Sequence, residues 1–249
     1  MSGHSKWSSI KHKKAAKDAR RGKLFTKLIK ELTVAARMGG GDVDANPRLR
    51  AAVATARANS MPADNIERAI KKGSGELEGV DYIDVTYEGY GPGGMAVILE
   101  CLTDNRNRTV AEVRHLFSKY GGNLGENGSV AWIFDKLGHV LVSSQAAVEE
   151  ELFDAAVEAG ASDVSLEGET FVVTTSVDEL EAVRAALVEK NFEVELAEIV
   201  LEPKNVVELS GGEASSALKL LEFLEDHDDV QRVSANFDID EEELSRLSA

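Results

Sequence analysis

The sequence has 249 residues, of which 43% are hydrophobic and 6% aromatic, so it is long enough for two or three packed domains and is not typical of a disordered protein. The only cysteine, Cys101, excludes an internal disulfide, and its apolar neighbours predict a buried thiol. The N-terminus lacks the apolar stretch of a secretory signal, and no window approaches the roughly 18 apolar residues of a membrane span. We therefore expect a cytoplasmic protein.

The net charge of −16 is divided unevenly along the chain. Residues 1–72 hold 17 Lys and Arg against 6 Asp and Glu, whereas the remaining residues hold 11 against 38, so the two net charges are +11 and −27. An evenly acidic surface would repel phosphate, but this division indicates a basic binding segment attached to an acidic body. The alternative is a basic surface that docks on the acidic domains of the same chain.

Between Lys6 and Lys30 the chain carries ten basic residues and one acidic residue. No apolar face forms before Leu24, so we expect the first part to be an arm or a helix start that becomes ordered on phosphate. Trp7 either stacks on an unpaired base or packs on the first helix. The predicted nucleic-acid contacts in this segment are Lys6, Trp7, Lys11, His12, Lys13, Lys14, Lys17, Arg20, Arg21, Lys23 and Lys27.

Apolar residues at three- and four-residue steps predict an N-terminal domain of three helices. The first helix carries a separate basic stripe that ends with Lys30, and the glycines at 39–41 end this helix. The second opens at Asn46-Pro47, a capping residue followed by proline at the first helical position. The third begins near Pro62 and ends at Gly73.

After a polar linker at 75–79, alternating apolar residues predict strands at 83–88 and 95–102. Thr109-x-x-Glu112 has the form of a capping box, so we expect it to open the next helix. Residues 129–134 are then predicted to return as a strand.

Between residues 138 and 203 the predicted order is βαββαβ, the ferredoxin-like arrangement of an antiparallel sheet with both helices on one face. The helix and strand that follow are too few for a domain, so we expect them to complete the sheet begun at Ile83. The predicted fold is α+β with three domains: a three-helix N-terminal domain and two α+β domains with ferredoxin-like antiparallel sheets. Their predicted bounds are 1–78, 79–135 together with 204–249, and 136–203, which makes the middle domain discontinuous.

The loop Gly89-x-Gly91-x-x-Gly94 has the glycine spacing of the dinucleotide-binding fingerprint but not its structural context. A phosphate cradle requires a helix N-terminus next, whereas an apolar strand follows here and Pro92 lies inside the loop. We expect either a tight hairpin-like connection or an exposed loop in which Tyr90 offers a stacking face.

Two further arginines, Arg106 and Arg108, are predicted to lie in the turn before a helix. Free backbone N–H groups at a helix start favour an anion, so both arginines are candidate phosphate contacts. The alternative is that the polar residues around them only cap the helix and turn the chain.

No recognisable catalytic or metal-binding pattern is present in the sequence. The five histidines are scattered without an HExxH pair or a cysteine partner, and no P-loop or G-x-S-x-G elbow occurs. We therefore predict a non-enzymatic binding protein with no catalytic residues, no cofactor, no metal, no small-molecule substrate and no membrane partner. Two alternatives stay open: a metal-dependent nucleic-acid-processing enzyme whose carboxylates meet in space, and a protein-interaction scaffold.

Five blocks of the sequence resemble the YebC/PmpR family, which includes the mitochondrial translational activator of cytochrome c oxidase subunit I. The match spans essentially the whole chain. The blocks are Gly3-His4-Ser5-Lys6-Trp7, Asn46-Pro47-Arg48-Leu49-Arg50, Tyr87-Glu88-Gly89-Tyr90-Gly91-Pro92-Gly93-Gly94, Asp104-Asn105-Arg106-Asn107-Arg108-Thr109, and Gly121-Gly122-Asn123-Leu124-Gly125 with Gly128-Ser129-Val130.

The resemblance implies a helical N-terminal domain and two α+β domains, the middle one interrupted by the third. It implies a cytoplasmic protein described as a DNA-binding transcriptional regulator, with other members acting in translation at the ribosome, including relief of stalling on proline-rich nascent chains. The family has no associated catalytic residues. The expected partner is therefore promoter DNA or ribosomal RNA, and the oligomeric state is left open with a monomer slightly favoured.

Overall fold

The structure is a computed structural model that describes residues 17–145 and 147–248. These residues divide into two compact units, one comprising Trp132–Asn205 and the other the residues up to Ala131 and from Val206 onwards. Within the described ranges, none of the helices combines the length and apolarity needed to cross a membrane.

The N-terminal part is a three-helix domain, as the apolar spacing predicts. Its helices are α1 (Lys17–Gly39), α2 (Pro47–Ala58) and α3 (Ala63–Gly73). The Asn46 side chain accepts a hydrogen bond from the Leu49 N–H, which confirms the predicted cap of α2, and it also donates to the Ala35 carbonyl oxygen at 2.8 Å. This cap therefore fixes the α1–α2 connection, and Leu32 and Leu49 are fully buried in the core below it.

The middle domain is built on an antiparallel sheet of four strands. Its strands are β1 (Ile83–Tyr90), β2 (Ala96–Thr103), β3 (Asn123–Leu124) and, after a long insertion, β9 (Val230–Ala235), in the order β3-β1-β2-β9. The pairing of β9 with β2 confirms that the C-terminal segment completes the sheet begun at Ile83. The α+β class is confirmed, but the strand order of this sheet differs from the ferredoxin-like order that we predicted for it.

Two helices cover the middle sheet and bury its apolar face. They are α4 (Arg106–Lys119), which contributes Phe117, and α7 (Gly211–Glu225), which contributes Leu220, Leu221 and Leu224, all fully buried. A two-stranded parallel pair, β8 (Val207–Glu208) with β10 (Phe237–Asp238), and helix α8 (Glu241–Ser248) complete the domain.

The start of α4 differs from the sequence prediction. Asn105 is the capping residue, since its side chain accepts from the Arg108 N–H at 3.1 Å, so the helix opens about one turn earlier than the predicted box at Thr109. Arg106 and Arg108 therefore lie in the first turn of α4 and not in the turn before it.

The segment Trp132–Asn205 folds as the predicted ferredoxin-like unit. Its elements are β4 (Phe134–Ser143), α5 (Glu149–Glu158), β5 (Asp163–Glu167), β6 (Thr170–Thr175), α6 (Leu180–Glu189) and β7 (Val194–Pro203), with the antiparallel order β5-β6-β4-β7. The predicted strand at 129–134 is wrong, because a short 3-10 turn occupies Ala131–Ile133 and β4 begins only at Phe134. The domain boundaries that we predicted to the residue stay predictions.

The glycine loop between β1 and β2 is a tight connection of the hairpin type. Pro92–Gly94 form a 3-10 turn, and the Gly91 N–H bonds the Met95 carbonyl oxygen at 2.8 Å. Gly93 has φ +65°, a backbone conformation that favours glycine, and a Cβ there would press on the Leu209 side chain. The loop leads into a strand and not into a helix, and it therefore lacks the helix N-terminus that a phosphate cradle requires.

A buried carboxylate holds the segment before the insertion. Glu88, 5% exposed, accepts N–H groups from Gly128 at 2.6 Å and from Val130 and Ala131, each at 2.8 Å. Burial acts to raise the pKa of Glu88, but the three backbone N–H groups outweigh it, and the pKa is lowered from its usual 4.5.

We expect Glu88→Gln to destabilise the protein by about 2 kcal/mol, because an amide presents an N–H2 group to at least one of these backbone donors. The measurement is the free energy of unfolding in urea, followed by circular dichroism. Folding lowers the pKa of this carboxylate, so its contribution to stability is fully present above the usual pKa. That contribution is lost as pH falls through the lowered pKa of the folded protein, and the two proteins should therefore have similar stability in acid. The exposed Glu126→Gln is the control, and an equal loss in both variants would contradict the assignment.

Candidate nucleic-acid interface

Three lysines of α1 contact the C-terminal end of α7 and the turn that follows it. Lys23 Nζ lies 3.1 Å from Asp226 Oδ2, Lys27 Nζ donates to the Glu225 carbonyl oxygen at 2.6 Å, and Lys30 Nζ lies 2.7 Å from Asp229 Oδ1. The spacing of four and three residues places the lysines on one face, and the last carbonyls of a helix attract cations. This is the arrangement expected if the basic stripe docks on the acidic body, and contact of Lys23 and Lys27 with nucleic acid stays a prediction.

The Asp229 carboxylate is the centre of this contact. The side chains of Lys30 and Asp229 are only 8% and 3% exposed, so the ion pair is buried. Asp229 Oδ2 also accepts from Arg108 and from the Thr109 hydroxyl, each at 2.7 Å. Burial acts to raise the pKa of Asp229, but the hydrogen bonds from Lys30, Arg108 and Thr109 outweigh it and hold the pKa far below its usual range.

These contacts give Arg108 a structural partner. Its guanidinium lies 2.7 Å from Asp229 and 3.0 Å from Asp104, and both carboxylates raise its pKa. The prediction that Arg108 contacts phosphate is not tested by these contacts, but a phosphate would have to compete with two carboxylates. Arg106, two residues earlier, is exposed on the surface of the domain.

An open cleft of about 870 Å³ lies between α1, α4 and the end of α7. Three basic residues, Lys23, Lys30 and Arg108, line it against five acidic ones. Because carboxylates outnumber lysines and arginines in its lining, the cleft itself does not favour phosphate.

A histidine and two carboxylates meet at the wall of this cleft, which the scattered histidines of the sequence did not indicate. Ligand atoms of Glu112, His227 and Asp229 lie within 4.8 Å of one another. His227 Nδ1 accepts from the Asp229 N–H at 3.1 Å, so its Nε2 carries the proton and donates to Glu112 Oε2 at 2.9 Å. Since Lys30 and Arg108 already supply positive charge to Asp229, the group has polar partners without a metal ion.

Tyr90 does not lie at the tip of the glycine loop. It is the last residue of β1, its side chain is half-buried, and its hydroxyl donates to the Ser129 carbonyl oxygen at 2.9 Å. Contact of Tyr90 with nucleic acid stays a prediction, and it would use a half-buried ring at the end of a strand instead of an exposed loop position.

The other end of the helical domain carries arginines in a different setting. The exposed Arg21 guanidinium lies 3.4 Å from the Ser60 carbonyl oxygen and 5.3 Å from the Phe25 ring. Arg57, in the last turn of α2, is exposed, and within the described residues its side chain makes no ion pair. Arg21 and the turn after Arg57 thus form a basic end, and Arg57 is a residue that our predicted site omitted because its sequence neighbours are ordinary helix surface.

Several predicted site residues fall outside this description. Lys17 and Arg20 are on α1, but the description does not extend to their side chains. Lys6, Trp7, Lys11, His12, Lys13 and Lys14 lie outside the described residues.

The thiol of Cys101 behaves as the sequence predicts. Cys101 is 2% exposed inside β2, and burial raises its pKa to about 12. A protonated, buried thiol is not a nucleophile.

Replacing Asp229 by Asn should lower the free energy of unfolding by about 3–5 kcal/mol, because it leaves the buried Lys30 ammonium without its counter-charge. Urea unfolding measures the loss. The neighbouring Asp228→Asn is a matched control, since that carboxylate is exposed and only its backbone carbonyl oxygen contacts Lys30, at 2.9 Å. Similar stability of the two variants would contradict a structural role for the Asp229 carboxylate.

The sequence matches a known protein family along most of its length. Residues 5–76 match the TACO1/YebC protein N-terminal domain, and residues 82–237 match the TACO1/YebC second and third domain. A probable transcriptional regulatory protein of Geobacter sulfurreducens is 59% identical over 99% of this chain and 100% of its own length. One of Desulforapulum autotrophicum, with the same description, is 55% identical over 97% of this chain and 98% of its own.

A solved structure shares the fold. The crystal structure of a conserved hypothetical protein from Aquifex aeolicus superposes with a TM-score of 0.85 at 49% identity, covering 93% of this chain and 96% of that one. With both family models matched in order along one chain, this protein belongs to the TACO1/YebC family.

Proposed function

We propose that this protein is a non-enzymatic, cytoplasmic, nucleic-acid-binding regulator of gene expression. The observation that carries the proposal is the separation of charge, +11 over residues 1–72 and −27 over the rest. Relatives described as probable transcriptional regulatory proteins support a regulatory role.

The contacts of the described residues support a narrower choice of phosphate-binding residues. Lys23, Lys27 and Lys30 already bind the end of α7, so they would reach phosphate only by giving up those partners. Arg21 and Arg57 keep no carboxylate partner within the described ranges. We therefore propose that Arg21 and Arg57, together with the basic residues that precede α1, make the main phosphate contacts.

The acidic body limits the kind of target that fits. The net charge of −27 outside residues 1–72 acts against the close approach of a long duplex, whereas a folded RNA with a protruding segment can be contacted by the basic end alone. We favour ribosomal RNA as the physical target for this reason, with promoter DNA as the alternative that the names of the relatives support. Membrane lipids and small-molecule substrates have no part in the proposal.

If about six phosphates are neutralised, the logarithm of the affinity should fall with the logarithm of salt concentration at a slope near −5 for duplex targets. Fluorescence anisotropy with labelled nucleic acid over a salt series measures the slope. Lys13→Ala combined with Lys14→Ala should reduce its magnitude by about 2, since each lost contact removes about 0.9.

Lys190→Ala is the control for that experiment. Lys190 lies on the acidic inserted domain and pairs with Glu158, so its loss should leave the slope unchanged. A slope near zero for the unmodified protein would overturn the proposal.

Crosslinking in cells, followed by sequencing of the attached nucleic acid, separates the two targets. We expect fragments of ribosomal RNA and co-sedimentation with ribosomes. A transcription regulator would instead bind its promoter duplex about a thousandfold or more tighter than random DNA.

The enzyme alternative has its own test. The protein is incubated with labelled RNA and DNA in Mg²⁺ or Mn²⁺, and we expect no cleavage. Cleavage that is lost in Glu112→Gln would contradict the non-enzymatic proposal and assign chemistry to the cluster of Glu112, His227 and Asp229.

A further inference from the structure

The middle domain carries a pair of stacked aromatic rings beside lysines on its surface. The rings of Tyr120, which caps the end of α4, and Phe223, on α7, stack with centroids 5.3 Å apart and an interplanar angle of 20°. Lys119 Nζ lies 5.2 Å from the Tyr120 centroid and 5.3 Å from the Phe223 centroid. We call Lys119, Tyr120, Lys219 and Phe223 the aromatic–basic surface.

Phe223 is exposed although its helix has a well-formed core face. Leu220, Leu221 and Leu224 of α7 are fully buried, whereas Phe223 points away from them and is 45% exposed. A single exposed apolar side chain is common, but here a second ring and an ammonium group accompany it. The combination of an aromatic face with a cation is the chemistry that holds a nucleotide.

Basic residues are few in the middle domain, and two of them lie beside the rings. Residues 83–131 and 206–248 hold seven Lys and Arg against eighteen Asp and Glu, and four of the seven lie on α4. Arg108 and Arg232 pair with carboxylates, whereas Arg106, Arg114, Lys119 and Lys219 make no ion pair with any described residue. Lys119 lies over both rings and Lys219 precedes Phe223 by about one helical turn, so an acidic domain presents two cations without ion pairs next to its stacked rings.

We infer that the aromatic–basic surface binds an unpaired stretch of RNA, with one base stacked on Phe223 and the adjoining phosphates near Lys119 and Lys219. The inference rests on the proposed nucleic-acid-binding function and adds a second contact, on the middle domain. Bases inside a duplex are already stacked and cannot reach the ring, whereas unpaired bases of RNA can. Glu222, exposed beside Phe223, opposes phosphate on its own side of the ring.

The test uses the full-length chain and a single-stranded RNA of about twelve nucleotides, a length within the usual site sizes of such proteins. The RNA carries one 2-aminopurine, whose fluorescence is quenched when it stacks, and a terminal dye for anisotropy. Phe223→Leu keeps an apolar side chain but removes the ring, and it should weaken binding about five- to a hundredfold, as loss of one base–aromatic stack does, and abolish the quenching. Glu222→Gln should tighten binding.

A matched control comes from the inserted domain. Phe153 on α5 is 48% exposed, close to the exposure of Phe223, but it belongs to a strongly acidic segment. Phe153→Leu should leave both affinity and quenching unchanged. Lys119→Ala and Lys219→Ala should each reduce the salt slope by about 0.7 for single-stranded RNA, which tests the surface without altering its rings.

Failure of this inference differs from failure of the proposed function. Binding with a normal salt slope that Phe223→Leu does not weaken, or that both Phe variants weaken equally, overturns the aromatic–basic surface alone. The inference is also overturned if Phe223→Leu weakens binding of a duplex of the same sequence equally. It is overturned likewise if the variant weakens binding of the matching single-stranded DNA but not of the RNA. No binding to any of these probes overturns both proposals.

Discussion

The buried Asp229 carboxylate is the interaction on which the arrangement of the helical and middle domains depends. It binds Lys30 from α1, and Arg108 and Thr109 from α4, while its own N–H is bound to His227. A buried ammonium is unfavourable unless it is paired, so the site of Asp229 determines where α1 can lie. Lys23 and Lys27, on the same face of α1, then follow onto the end of α7, where helix carbonyls and Asp226 accept them.

This contact separates the basic residues into two classes. A lysine that neutralises a carboxylate of its own chain contributes nothing to phosphate binding until the pair is broken, and in a partly buried setting breaking it is costly. Counting Lys and Arg along the sequence therefore overestimates the binding surface. The residues that keep their charge for a partner are exposed ones without an ion pair to any described residue, such as Arg57 in the helical domain and Lys119 and Lys219 in the acidic body.

Local signals predicted much of the fold, and long-range contacts explain what they missed. The Asn46-Pro47 helix start and the βαββαβ order depend on neighbouring residues and on periodicity, and both are confirmed. Thr109 looked like a helix cap, but its hydroxyl bonds Asp229, 120 positions away, while Asn105 provides the cap. No local pattern contains that partner. The same reason hid the meeting of Glu112 with His227 and the stacking of Tyr120 on Phe223, because each pair joins α4 to residues after the insertion.

The discontinuous middle domain has a consequence for recognition. Since its sheet and helices assemble from segments on both sides of the insertion, a surface formed by α4 and α7 exists only when the whole domain is folded. Phosphate contacts from a basic segment are insensitive to sequence, whereas a base on an aromatic ring reports that the nucleic acid is unpaired. Under the proposed function, the N-terminal domain would therefore supply most of the affinity and its salt dependence, and the middle domain would supply the preference for unpaired RNA. The ion pair at Asp229 links the two, because it holds α1 of the helical domain against the domain that carries the rings of Tyr120 and Phe223.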